Sequence, residues 1–149
     1  MKPLVIRIPG HPVPQARPRA VRAGKGVRMY DPAKSRNWKA TAQQHMATAL
    51  AEAGGTELYR GPVAVFFQAV FACPKSDYRK KKPRGRRVHT KSNGDLDNLL
   101  KGLLDAGTGV LWRDDGQVAL VGGTKWIGAQ GEPPGLTIKV REIEEDSDE

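Results

Sequence analysis

Residues Val63 to Cys73 form the longest apolar stretch of the chain, and they leave few options for its fold. Val63-Ala64-Val65-Phe66-Phe67-Gln68-Ala69-Val70-Phe71-Ala72 is dense in β-branched and aromatic side chains, which suit an extended strand. It does not alternate, so part of its length must be covered on both faces, and its place is the centre of a sheet. With Gln68 inside it, the stretch is too short to cross a membrane as a helix.

Further elements frame that strand. Leu4-Val5-Ile6-Arg7-Ile8 alternates and predicts a first strand, stopped by the prolines at 9, 12 and 14. Gln15 to Arg22 is extended and basic. Ala23-Gly24-Lys25-Gly26 reads as a turn between short strands, with Val27 to Tyr30 on its far side. Asp31-Pro32 suits a helix start. Trp38, Ala42, Met46, Ala49 and Ala53 then make one apolar stripe, ended by Gly54-Gly55. His45 lies near the stripe and reads as a packed or surface histidine. A second helix is expected over Leu96 to Ala106, with Leu96, Leu99, Leu100, Leu103 and Leu104 as its apolar face. Strands follow at Val118 to Ile127 and Leu136 to Ile143. This length predicts one domain over residues 1–141 and an acidic tail over 142–149.

Charge narrows the function. Residues 1–141 hold 25 Lys/Arg against 10 Asp/Glu, a net of +15, whereas residues 142–149 carry six acids and no base. A body that positive fits a polyanion, most simply nucleic acid. Nine of the seventeen residues from Lys75 to Lys91 are basic, and Pro83 and Gly85 interrupt them, so residues 75–94 are expected to be a mobile loop without regular structure. The candidate DNA contacts are Arg17, Arg19, Lys80, Lys81, Lys82, Arg84, Arg86, Arg87 and Lys91. Each phosphate they neutralise should release counterions and steepen the salt dependence. The tail has the charge to fold back over this loop; a disordered solubilising end would account for it equally well. Cys73 is alone, and with His11, His45 and His89 it makes no zinc spacing. With no signal-peptide pattern at residue 1, a reducing, cytoplasmic setting is expected.

Five of the ten acids before the tail fall between Asp95 and Asp115: Asp95, Asp97, Asp105, Asp114 and Asp115. Crowded carboxylates resist ionisation unless a cation joins them, and a hard divalent ion prefers oxygen ligands. Asp95 in a turn and Asp97 in the first helical turn can converge on one ion. Asp97, Lys101 and Asp105 follow at four-residue steps on one stripe. Each acid also has a structural explanation. Asp95 or Asp97 can cap a helix, Asp105 can pair with Lys101, and Asp114-Asp115-Gly116 can be a turn. What is specific is the combination.

The pattern Asp95-Leu96-Asp97-Asn98-Leu99, then Lys101, then Trp112-x-Asp114-Asp115-x-Gln117-Val118, resembles the RusA-type Holliday junction resolvases. The opening Ile8-Pro9-Gly10-x-Pro12-x-Pro14 resembles the start of many members. The resemblance spans most of residues 4–140. It implies a small α/β (α+β) fold, in which two main helices pack on a small mixed sheet, and a homodimer. It implies Mg²⁺-dependent hydrolysis of four-way DNA junctions, with Mn²⁺ as a possible substitute. Its acidic triad falls on Asp95, Asp97 and Asp115, as metal ligands and catalytic residues, and its lysine on Lys101. The metal would polarise the scissile phosphate and activate water. A cytoplasmic, nucleoid-associated protein of bacterial or phage origin acting in recombination and repair is the expected setting. Two alternatives stand beside this: a nucleic-acid binder without chemistry, and a nuclease of the same family acting on other branched DNA.

Overall fold

The computed structural model describes residues 3–14, 19–24, 26–30, 33–55, 57–90 and 95–146. The elements run β1 (Leu4–Pro9), β2 (Arg19–Ala23), β3 (Gly26–Tyr30), α1 (Ala33–Glu52), β4 (Val63–Phe71), β5 (Arg87–Val88), α2 (Leu96–Gly107), β6 (Val118–Ile127) and β7 (Gly135–Glu142). Five strands make one mixed sheet in the order β1-β7-β4-β6-β5, and β2 with β3 forms a separate hairpin. The expected α+β architecture, two main helices on a small mixed sheet, is therefore present.

The apolar stretch sits where its composition required. β4 lies between β7, antiparallel, and β6, parallel. Val63, Ala64 and Val65 are buried in succession. A parallel neighbour needs a crossover, and residues 72–117 supply it with β5 and α2 inside.

One core fills the space between the sheet and the helices. Ile6, Ile8, Val65, Phe67, Ile138 and Val140 come from alternate strand positions and meet Trp38, Ala42 and Met46 of α1 and Leu99, Leu103 and Ala106 of α2. The stripe of α1 continues to buried Leu50, whereas Ala53 falls past the helix end and is exposed. The helix closes at Gly54, whose φ of +79° is the left-handed conformation a Cβ would disfavour. The expected helix start at Asp31-Pro32 lies outside the described residues.

The basic run has more structure than its composition suggested. Lys75–Asp77 is a 3₁₀ turn and Arg87–Val88 a strand on the edge of β6. Gln130 receives the backbone N–H groups of Arg79 and Arg84, both at 2.9 Å, and donates to the Arg79 carbonyl at 3.0 Å. Among the described residues, no helix is long and apolar enough to cross a membrane.

Candidate active site

α2 is amphipathic, and its buried face clamps it to the core, leaving its polar stripe outward. Asp97, Lys101 and Asp105 are all exposed along that stripe. Asp95 occupies the N-cap position, with φ −59° and ψ 129°, yet its side chain accepts no capping hydrogen bond. Neither Asp95 nor Asp97 takes part in an ion pair among the described residues. The capping explanation for Asp95 therefore finds no support in its side chain. Beside them, Leu96, Leu100, Phe67, Val121, Gly122 and Gly123 line an open cleft of about 170 Å³ that Asp97 borders.

The other end of α2 is built differently. Gly107 has no Cβ because the Trp112 ring lies there: a Cβ would come within 2.4 Å of it. Trp112 is fully buried, and its indole N–H donates to Thr108 Oγ1 at 3.2 Å. That packing turns the chain sharply into Asp114-Asp115-Gly116-Gln117. Asp114 caps the 3₁₀ turn Asp115–Gln117 by accepting from the Gly116 N–H at 3.2 Å. Gln117 Oε1 accepts from the backbone of Arg113 at 2.8 Å and of Asp114 at 3.2 Å. Its amide donates to the carbonyls of Tyr59 at 2.8 Å and Gly61 at 3.0 Å. Gln117 thus ties the acidic turn to the entry of β4. Its place in the motif was visible in the sequence, but its tethering role was not.

Asp115 is exposed, and a hydrogen bond shared with the Asp114 carboxylate holds its pKa above the usual value. Repulsion from Asp114 and Asp105 acts in the same direction. Asp95 and Asp97 are not among the groups that shift it. Asp105 forms an ion pair with Lys39 of α1 at 3.8 Å, which corrects the expected pairing with Lys101. Asp105, Asp115, Thr108, Arg36, Lys39 and Gln43 border an open cavity of about 510 Å³ between the helices.

The structure therefore leaves Asp95 and Asp97 at the start of α2 and gathers Asp115 with Asp114 and Asp105 at its other end. From Asp97 to Asp105 the helix rises about 12 Å. Among the described residues no three His, Cys, Asp or Glu side chains gather where they could hold one metal ion. Lys101 stands between the two groups, exposed and without an ion pair among the described residues.

The candidate DNA contacts divide as well. Arg84 Nε donates to the Asp77 carbonyl at 2.8 Å, Arg87 pairs with Asp77 at 2.5 Å, and Arg86 pairs with Glu132. Those three arginines hold the loop together. Lys80, Lys81 and Lys82 are exposed and carry no ion pair among the described residues. Arg19 lies on β2, while Arg17 and Lys91 lie outside the described residues. His89 is buried with its ring edge-on to Phe71 at 4.8 Å, and Cys73 is buried, which fits core roles for both.

Comparison with known proteins supplies an independent line. Residues 9–141 match the family described as endodeoxyribonuclease RusA. The chain is also 32% identical over 139 residues to YqaN, an uncharacterized protein of Bacillus subtilis (strain 168). That alignment covers 90% of this chain and 92% of YqaN.

Proposed function

The chain belongs to the RusA endodeoxyribonuclease family, and on that premise we propose that it is a structure-specific endonuclease that cuts four-way DNA junctions by metal-assisted hydrolysis. The observation that carries the site assignment is the N-terminal end of α2. Two exposed carboxylates, Asp95 and Asp97, stand there, Asp95 without a capping bond and neither with an ion pair among the described residues. A DNA-binding protein gains nothing from them, since carboxylates repel phosphate.

By donor type, Asp95 and Asp97 suit a hard divalent ion, Mg²⁺ or in its place Mn²⁺. One chain does not complete the cage, because Asp115 is held at the far end of α2. No catalytic step is therefore derived through a metal bound by a single chain. The proposal assigns the third carboxylate to Asp115 of the partner subunit in a homodimer. A two-fold contact that sets the start of one α2 against the end of the other is reciprocal, so it yields two equal sites. A four-way junction has matching two-fold symmetry. Lys101, one turn beyond Asp97, offers its ammonium to the charge that builds on the scissile phosphate. Lys80, Lys81 and Lys82 hold the DNA backbone. The DNA substrate gives this enzyme a place in the cytoplasm at the nucleoid, in recombination and repair.

The test mixes two inactive variants, Asp97→Asn and Asp115→Asn, and assays a synthetic junction with Mg²⁺. A mixed dimer has one site with both defects and one site whole. Random mixing should restore about a quarter of the wild-type rate. No recovery would mean that each site lies within one chain. Full activity in Asp97→Asn alone would remove the site assignment.

A further inference from the structure

Both helices pack on one face of the sheet, and the residues between the core positions point to the other. Neither helix covers that second face. Val5 is 60% exposed there and Leu120 44%. The strand registers place Arg7 beside Thr137, Lys139 between Val5 and Phe66, and Arg141 beside Ala64. All three cations are exposed. No strand residue on this face is Asp or Glu; Glu142 alternates to the opposite side. Glu132, which feels the charge of Arg7, is already paired with Arg86.

Two aromatic rings share this face, Phe66 beside the cations and Trp126 farther along on β6. The Arg141 guanidinium sits over the Phe66 ring at 5.9 Å from its centre. Gly122 makes room for that ring, since a Cβ there would come within 2.9 Å of it. Trp126, two strand positions beyond Thr124, shares the face with Val70. Its indole N–H donates to Thr124 Oγ1 at 3.1 Å, which fixes the ring on the sheet surface. A row of cations with aromatic rings, where the neighbouring Glu132 is already paired with Arg86, is the chemistry that takes a nucleic-acid strand, phosphates on the charges and bases on the rings. A second copy of the chain fits poorly, because a two-fold contact would set the same cations against one another.

We propose that this sheet face, which no helix covers, binds a single DNA strand, with phosphates on Arg7, Lys139 and Arg141 and an unpaired base stacked on Trp126. It rests on the reading that the protein acts on branched DNA, where strands part at the crossover. It adds a binding surface distinct from the basic loop and from both ends of α2.

Binding of a single-stranded oligonucleotide, a duplex and a four-way junction, measured in EDTA across a salt series, tests it without any cutting. The variant R7Q/K139Q/R141Q should lower the slope of log affinity against log salt for the single strand by about 2. Trp38 and Trp112 are 9% and 0% exposed, so tryptophan quenching by bound bases reports on Trp126. Single strand and junction should quench it, duplex should not, and Trp126→Phe should abolish the effect. An unchanged slope, or no quenching by the single strand, overturns the proposal. So does concentration-dependent self-association that the triple variant abolishes, since a second copy would then own the face. A wild type that still cuts junctions in that event keeps the nuclease reading and places the strand elsewhere. A wild type that binds single strands here and cuts nothing keeps this surface and loses the nuclease.

Discussion

The two ends of α2 carry acids of the same kind in opposite circumstances. At the start, Asp95 and Asp97 stand exposed, with no ion pair among the described residues and no capping bond at Asp95. At the finish, Asp105 pairs with Lys39, Asp114 caps a turn, and Asp115 shares a hydrogen bond with Asp114. A carboxylate with structural work can be explained without chemistry. A pair with no such work among the described residues returns nothing to the fold unless a cation or substrate arrives. In the proposed site the N-terminal pair is thus the firmer half, and Asp115 is the residue that would complete it only from a second chain.

The largest expected effect falls on that first pair. Asp97→Asn should slow single-turnover junction cutting by about 10²- to 10³-fold while stability moves by less than about 0.5 kcal/mol. A stability loss comparable to that of a capping residue would erase the contrast between the two ends. Next comes the scaffold of the far end. Gln117→Ala removes the tether to Tyr59 and Gly61 and should cost roughly 1–3 kcal/mol in chemical denaturation. It should also lower cutting, because Asp115 loses its fixed turn. Activity unchanged by that loss would detach Asp115 from the chemistry.

A smaller effect separates the cations of the loop. Changing Lys80, Lys81 and Lys82 together to Ala should lower the salt slope of duplex binding by about 2 to 3 with little change in melting temperature. Arg87→Ala should do the reverse, since it releases Asp77 before it touches any DNA. The smallest effect is on pH. The folded pKa of Asp115 is raised, so its contribution to stability is present below the unfolded carboxylate value, about pH 4, and is lost as pH rises through the folded value. Wild type should therefore lose stability over that interval relative to Asp115→Asn, measured by thermal melts at low salt. Coincident curves would show that Asp114 and Asp115 do not share a proton.

Local patterns carried a good part of this into the sequence. The long apolar run located β4 at the sheet centre, and the leucine spacing drew α2 within a residue of its ends. Asp95 at the helix entry and Asp97 in its first turn were placed by the same spacing. What local pattern could not show was partnership across the chain. The pairing of β7 with both β1 and β4 joins residues far apart in sequence, and no spacing announces it. Lys39 took Asp105 because two helices packed side by side, a contact decided by the shared core. Gln117 and Gln130 are polar residues in loops; only their positions against distant carbonyls and amides reveal that they hold the acidic turn and the basic run. The separation of Asp115 from Asp95 and Asp97 likewise follows from the Trp112 packing on Gly107, a shape match invisible in composition.

The position of β7 has a further consequence, for the growing chain. The strand nearest the C-terminus lies between the first strand and the central one. Until it emerges from the ribosome, β1 has no neighbour to pair with and one edge of β4 is bare. The helices then lack the full surface that anchors α2. The surface on which both helices pack is therefore complete only once β7 has been made and joins β1 to β4.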